Sequence, residues 1–361
     1  MDVRRKTALV LSGGGITGFL FEIGVLAALE DALPQTPLHQ YFDCFVGTSA
    51  GAVAAALLAN GARPTDAYRV LHEDLDSPFN FRSCDVYGVA GGTALQLVTQ
   101  FMRPLGGVIT RALRNPTGSS VASVLADFQE HHPPGFYSTE PLERTLCQRF
   151  TALGYAHHFH ELTSPLYVTG ADIDTGERLV FGEGEFREVH ICRAVAASSA
   201  VPIFFQPIRI GEREVVDGAV AEVSPLDVAV AHGAGVIVHV NPLVPLYNDR
   251  TTLCLPLDGG HCASLAEKGV GWIGEQALRM LLAAKLEDTL ENLRARHPQL
   301  VIHRIEPGRH ELPMFMQHMM SFGTRRELLE YGLHCGRRAV ARGVVRTLTH
   351  AGASTSKMCP E

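Results

Sequence analysis

Charge is scarce in this chain. Only 19% of its 361 residues are Asp, Glu, Lys or Arg, against roughly 25% in an average soluble domain. With 46% hydrophobic residues, it has ample apolar surface to bury and is not a disordered chain. The charge that is present is acidic on balance, −7 formally. That argues against nucleic acid as a partner, because a phosphate backbone needs a basic face. No stretch of 18 uninterrupted apolar residues occurs, so no membrane-spanning helix is expected. The eight cysteines, at 44, 84, 147, 192, 254, 262, 335 and 359, contain no C-x-x-C pair, which removes the zinc-ribbon and thioredoxin readings. Scattered through apolar text, they read as buried free thiols in a reducing, cytoplasmic compartment. Arg4, Arg5 and Lys6 before an apolar run imitate a leader, but three glycines and then Glu22 interrupt it. A signal peptide is therefore rejected. Internal repeats and low-complexity segments are lacking too.

What remains is an α/β pattern. Thr7–Leu11 is a short apolar run ending in glycines, a buried strand. Phe19–Leu33 carries apolar residues at helical spacing and stops at Pro34. Tyr41–Val46 reads as a second strand, and Ala50–Ala59 as a small-residue helix capped by Asn60-Gly61. Strand, helix, strand, helix points to a parallel sheet with crossover helices. Strands are also expected at Leu166–Ala171, Arg178–Phe181, Val215–Val216 and Val236–Val240, and helices from 140, over 263–297 and over 325–349. Residues 75–137 are broken by SPFNF, GVAGG, MRPLGG and NPTGSS, which marks an insertion, a lid or substrate-side piece. The expected architecture is one domain over residues 1–361: a three-layer α/β/α sandwich with a mostly parallel central sheet, the insertion at 75–137, and a C-terminal helical region at 263–350.

Two motifs carry chemistry. Gly47-Thr48-Ser49-Ala50-Gly51 fits G-x-S-x-G between a buried strand and a helix. That context is a nucleophile elbow, a tight turn that lifts a serine hydroxyl clear of the sheet and aims a helix N-terminus at it. Gly47 and Gly51 are the positions where a side chain would collide with backbone. The second motif is Ser12-Gly13-Gly14-Gly15-Ile16-Thr17-Gly18, whose successive backbone amides suit an anion. Positions 13, 15 and 18 also satisfy the dinucleotide fingerprint. That alternative needs an acid at the end of the second strand, where this chain has the serine turn and carries Asp43 at the strand's start. An oxyanion hole formed by Gly13, Gly14 and Gly15 accounts for both motifs together. A P-loop is excluded, since no G-K-[ST] follows. Serine chemistry needs a base. None of the seventeen histidines sits in a telling turn: 131, 132, 157, 158 and 160 read as solvated loop residues, His232 and His239 as core. Asp217 ends a strand and precedes Gly218.

Taken in order, SGGGITG, GTSAG and DGA resemble the three signature blocks of the patatin-like phospholipase family, and AVAASSAVPIFFQPI resembles the stretch before the family's Asp-Gly block. MMSFGTRRELLEYG is similar to its C-terminal helix region. The resemblance covers about 7–240 and, more loosely, 310–345. It implies a serine hydrolase of lipid carboxylic esters, phospholipid or neutral lipid, working through an acyl-enzyme. Ser49 would be the nucleophile, Asp217 its base, and Gly13 to Gly15 the oxyanion hole. No metal or cofactor is implied. The alternatives are a dinucleotide- or ligand-binding protein using the glycine loop, and an inactive scaffold of the same fold.

Two departures bear on substrate. Thr17 stands where family members usually carry Arg or Lys, and Glu222 follows the Asp-Gly block where asparagines are frequent. A missing cation and an added acid near the loop leave neutral esters open as substrates. Residues 93–113 and 312–322 are candidate acyl-pocket linings, against an ordinary core role. Residues 325–346 carry six arginines against two glutamates, a helix suited to anionic headgroups or to plain solvation. The partners expected are thus a lipid or ester and a peripheral membrane surface.

Overall fold

A computed structural model of the chain describes residues 4–33, 36–89, 135–249, 251, 264–315 and 319–353. The first strand, β1 (Lys6–Leu11), runs into the glycine loop and straight into helix α1 (Gly15–Asp31). The helix begins four residues before the expected Phe19, because the glycines themselves form its first turn. Next come β2 (Cys44–Thr48) and α2 (Ala50–Ala59). β2 extends two residues beyond the expected Val46, through Gly47 and Thr48. Helix α3 (Pro64–Glu73), a short α4 (Ser83–Val86) and strand β3 (Gly88–Val89) follow. After β4 (Gly135–Ser138) come α5 (Glu140–Leu153), β5 (Leu166–Asp172), β6 (Arg178–Phe181) and α6 (Ile191–Ser198). Strands β7 (Ile203–Phe205), β8 (Ile208–Ile210) and β9 (Arg213–Asp217) lead to α7 (Leu226–Ala231) and β10 (Ala234–Val240). The chain closes with α8 (Val270–Arg296), β11 (Val301–Ile305), α9 (Arg325–Ala341) and α10 (Val344–Ala353). The expected single helix over 325–349 is two, divided at Gly343, whose φ of +98° suits glycine and ends α9. Residues 90–134, the bulk of the expected insertion, lie outside the described residues.

The main sheet has the order β11-β10-β1-β2-β5-β9-β8, with β6 also on β5. The pairs from β11 to β5 are parallel, while β6, β9 and β8 run antiparallel. A smaller sheet joins β3, β4 and β7. Successive residues of the central strands serve opposite faces, as the two-residue period requires. Leu9 and Leu11 pack with α1, α2, α6 and α9. Ala8 and Val10 pack with α7 and the second half of α8 through Leu286, Leu290 and Leu293. Strands buried on both faces read as continuous apolar runs, which is why β1 and β2 lack alternation. The expected three-layer α/β sandwich is thus the observed one.

Helix α1 is buried almost all round, Glu22 included. Both Glu22 carboxyl oxygens lack a hydrogen-bond partner, and burial pushes its pKa well above the usual carboxylate range. Against α1 lies α9, backbone to backbone. A Cβ on Gly332 would run into the Phe21 carbonyl, and one on Gly24 into the Leu329 carbonyl. Gly332→Ala should therefore destabilise the fold by about 1–3 kcal/mol through overpacking. Gly274→Ala, on α8 with nothing within 4 Å, should stabilise it by about 0.5–1 kcal/mol through helix propensity. Urea unfolding of the two variants checks the pair of opposite signs.

Candidate active site

Strand register assembles the site. Leu11 of β1 lies opposite Gly47 of β2, Thr48 of β2 opposite Thr169 of β5, and Gly170 of β5 opposite Asp217 of β9. Three segments far apart in sequence therefore end side by side. The threonines reinforce the seam, Thr48 Oγ1 to Thr169 Oγ1 at 2.7 Å. β9 enters antiparallel, so Asp217 reaches the level of Ser49 from the opposite direction.

Ser49 occupies the turn between β2 and α2 with φ 55° and ψ −124°, a region that costs a non-glycine residue on the order of 1–3 kcal/mol. The turn is held on all sides. Ser49 N–H donates to Ser198 Oγ at 2.8 Å, and the Ser49 carbonyl accepts from Ala52 N at 2.9 Å. Side chains are excluded at both flanking glycines. A Cβ on Gly47 would lie 2.5 Å from Ala52 Cα, and one on Gly51 would strike the Leu11 carbonyl. The side-chain hydroxyl of Ser49 lies beside the Asp217 carboxylate and favours its ionised form.

Asp217 is 3% exposed. Its Oδ1 accepts from Ala219 N at 2.8 Å. Desolvation raises its pKa to about 6, against the lowering pull of the Ser49 and Ala219 hydrogen bonds. Gly218 is obligatory beside it, since a Cβ there would meet the Thr169 carbonyl.

The glycine loop forms the opposite wall. A Cβ on Gly13 would stand 3.1 Å from Ser49 Cβ, and one on Gly14 2.7 Å from Pro242 Cγ. Gly15 has φ +61° and faces the Met319 carbonyl. Gly13, Gly14 and Gly15 thus bring the N-terminus of α1, with the partnerless amides of a first helical turn, against Ser49. The N-terminus of α2 begins at the same serine.

Behind the loop stands a cluster that the sequence did not announce. Ser12 Oγ lies 2.6 Å from Ser224 Oγ and 3.0 Å from His239 Nε2, and His239 Nε2 lies 2.9 Å from Ser224 Oγ. His239 is fully buried, as expected of a core histidine, and burial lowers its pKa to about 3. The hydroxyls tie the start of the glycine loop to β10 and to the segment after Asp217.

A sequence model of the family described as patatin-like phospholipase matches residues 9–230, and so takes in the glycine loop, the serine turn and Asp217. The chain belongs to the patatin-like phospholipase family. An uncharacterized NTE family protein of Mycobacterium tuberculosis is 26% identical over 239 residues, 66% of this chain and 30% of that protein. A cGAMP-activated phospholipase of Escherichia coli is 26% identical over 219 residues, 57% of this chain and 49% of that enzyme. This chain therefore matches a third to a half of each of these relatives. Among solved structures, VipD of Legionella pneumophila aligns with 94% of this chain and 67% of its own at 14% identity and a TM-score of 0.41. The type III effector ExoU aligns with 94% and 53% at 15% identity and a TM-score of 0.37.

Among the described residues, this patatin-like site opens from Ser49 into an apolar cavity of about 570 Å³, mouth included. Ile16, Phe19, Val53, Phe81, Leu142, Phe205, Met320 and Phe322 line it. Met320 and Phe322 come from the expected 312–322 lining, whereas Met314, Phe315 and Met319 are core. The other expected lining, 93–113, lies outside the described residues. Thr17 stands at the glycine loop, as expected, but turns away from the cavity. It is fully buried, and its hydroxyl donates to the Gly14 carbonyl at 3.2 Å. Glu222 does not line the cavity. It is buried towards α8, with Thr289 Oγ1 at 3.4 Å and Lys285 Nζ at 4.0 Å. Asp43, the acid that a dinucleotide site would use, sits at the far end of β2 and accepts from Arg4 at 2.7 Å. His232 is half-buried rather than core, stacked on Tyr167 with Nε2 3.0 Å from Glu183. Arg325 and Arg338 of the basic α9 are engaged by Asp74 and Glu311. No helix among the described residues is long and apolar enough to cross a membrane.

The buried carboxylate has a stability consequence. Unfolded, Asp217 ionises near the ordinary 3.8; folded, near 6. Above pH 6 the folded protein holds a penalised charge, and below about pH 4 both states are protonated, so the penalty vanishes. The full penalty corresponds to about 3 kcal/mol. Asp217→Asn should therefore be more stable than wild type at pH 8 and gain little at pH 4, as read from denaturant midpoints at the two pH values.

Proposed function

We propose that this chain is a serine acyl hydrolase that cleaves lipid carboxylic esters through a Ser49–Asp217 dyad. The observation that carries the reading is the strained Ser49 turn with its hydroxyl beside a buried carboxylate, at the mouth of an apolar cavity. Family membership and relatives named as phospholipases support it.

In the proposed reaction the acyl chain lies along Phe19, Val53 and Phe205, and the ester carbonyl rests against the glycine loop. Ser49 Oγ attacks the carbonyl carbon as its proton passes to Asp217. The carbonyl oxygen gains the electron pair and is held by amides of Gly13 to Gly15, preorganised at a helix N-terminus. Collapse expels the alcohol, which takes the proton from Asp217, and leaves the acyl-enzyme. Water then gives a proton to the same carboxylate and attacks the acyl carbon. The second collapse frees the fatty acid and returns the proton to Ser49. A pKa of about 6 leaves Asp217 ionised at neutral pH, yet a stronger base than an exposed aspartate. With Thr17 turned inward and Glu222 turned towards α8, the described cavity wall is apolar and selects for the acyl chain, so both phospholipid and neutral esters fit the proposal.

Esters of graded chain length, with and without a phosphate, test this. Ser49→Ala should lower kcat/KM on the order of 10⁴-fold or more, and Asp217→Asn should approach it. The wild-type profile should fall on the acid side near pH 6, where Asp217 protonates. His239→Ala should keep that acid limb in place, since His239 is neutral throughout. A histidine substitution as damaging as Ser49→Ala would contradict the dyad.

A further inference from the structure

On the side of α6 away from Ser198, the fold gathers three soft donors that the ester chemistry does not use. Cys147 lies on α5, His157 in the loop that follows it, and Cys192 in the first turn of α6. One ligand atom from each lies within 4.8 Å of the other two. Cys192 is fully buried, and Cys147 is half-buried beside it. The loop is fastened in place, since Ile191 N donates to the His157 carbonyl at 2.9 Å.

The histidine is prepared for coordination. Thr151 Oγ1 donates its one proton to the Cys147 carbonyl at 2.9 Å and lies 3.1 Å from His157 Nε2. With that proton on the carbonyl, the hydroxyl pairs with the tautomer of His157 that carries its proton on Nε2 and leaves Nδ1 as the donor atom. An outer partner that fixes the tautomer in this way is the usual support of a metal-binding histidine.

We propose that Cys147, His157 and Cys192 bind one thiophilic divalent ion, of which zinc is the ordinary example, with water in the fourth position. Zinc–sulfur bonds near 2.3 Å and zinc–nitrogen bonds near 2.0 Å set donor separations of about 3.5–3.8 Å in a tetrahedron. Side-chain rotation of about 1 Å closes the observed cluster to that size. Loading releases the two thiol protons to solvent, the two thiolates balance the charge of the ion, and nothing is oxidised. The ion would clamp α5 and its loop to α6, the helix whose other end carries the Ser198 that holds the Ser49 amide. The donors are scattered along the chain and form no C-x-x-C pair, so only the fold brings them to light.

The test uses the full chain, reduced and stripped with a chelator, then titrated with Co²⁺ and with Zn²⁺. The proposal expects a thiolate-to-cobalt charge-transfer band saturating at one ion per chain, and a melting temperature that rises with Zn²⁺. Cys147→Ser and Cys192→Ser should lose both signals. Cys44→Ser, Cys84→Ser, Cys254→Ser and Cys262→Ser should keep them. Thr151→Val, which leaves all three donors in place, should weaken binding by about tenfold. Circular dichroism separates a lost site from an unfolded variant, and the half-buried Cys147 and exposed Thr151 positions keep the test open if Cys192→Ser does not fold. A wild type without the charge-transfer band, or a band that survives in Cys147→Ser, would overturn the proposal.

Discussion

The backbone of Ser49 is forced into a conformation it would not choose, and much of the molecule serves to hold it there. A φ of 55° at a non-glycine residue persists only where the surroundings over-determine it. Here the register of β1, β2, β5 and β9 fixes where the turn begins. The absence of side chains at Gly47 and Gly51 lets α2 start at once, and Ser198 on α6 takes the serine amide. The two apolar layers on either side of the sheet supply the burial that keeps those strands in register. In the serine and aspartate blocks, Gly47, Gly51 and Gly218 mark the places where backbone approaches backbone too closely for a Cβ.

The same packing creates the electrostatics. Asp217 lies at the level of Ser49 because β9 enters antiparallel to β5, and that position is dry. Desolvation raises its carboxylate, while the Ser49 hydroxyl and the Ala219 amide pull the other way. A site with these opposing influences stores a charge at a cost to stability and gains a stronger base. The Ser12–His239–Ser224 cluster shows the other use of buried polar groups. The two hydroxyls meet each other and His239 Nε2, while His239 Nδ1 is buried without a partner; the imidazole stays neutral, and the glycine loop is anchored from behind.

Much of this was legible in the sequence, and the misses have physical causes. β1, β2 and β5 are buried on both faces, so they stand out as apolar runs. Gly47, read as the start of a turn, hid the last two residues of β2, since glycine continues a strand when its neighbour is a helix backbone. β11 was missed because His303 and Arg304 interrupt VIHRI, as an edge strand allows. α6 was missed because its eight residues make only about two turns, too few for a helical period to stand out. Ser49, Gly13 to Gly15 and Asp217 were found by motif, and the fold brings them together. The burial of Thr17 was not foreseen, because a motif position gives no direction for the side chain, and α1 turns it inward. The thiol–imidazole cluster was invisible for the same reason that Asp217 was weak alone: only tertiary structure joins its members.

The central claim is that Ser49 is activated by Asp217 and by no other base. The rate of covalent labelling by a fluorophosphonate, followed by mass spectrometry across pH, tests it most directly. The account predicts a single labelled residue, Ser49, with a rate that falls on the acid side near pH 6, and loss of labelling in Asp217→Asn. Labelling on another serine, or an unchanged rate and pH profile in Asp217→Asn, would contradict it.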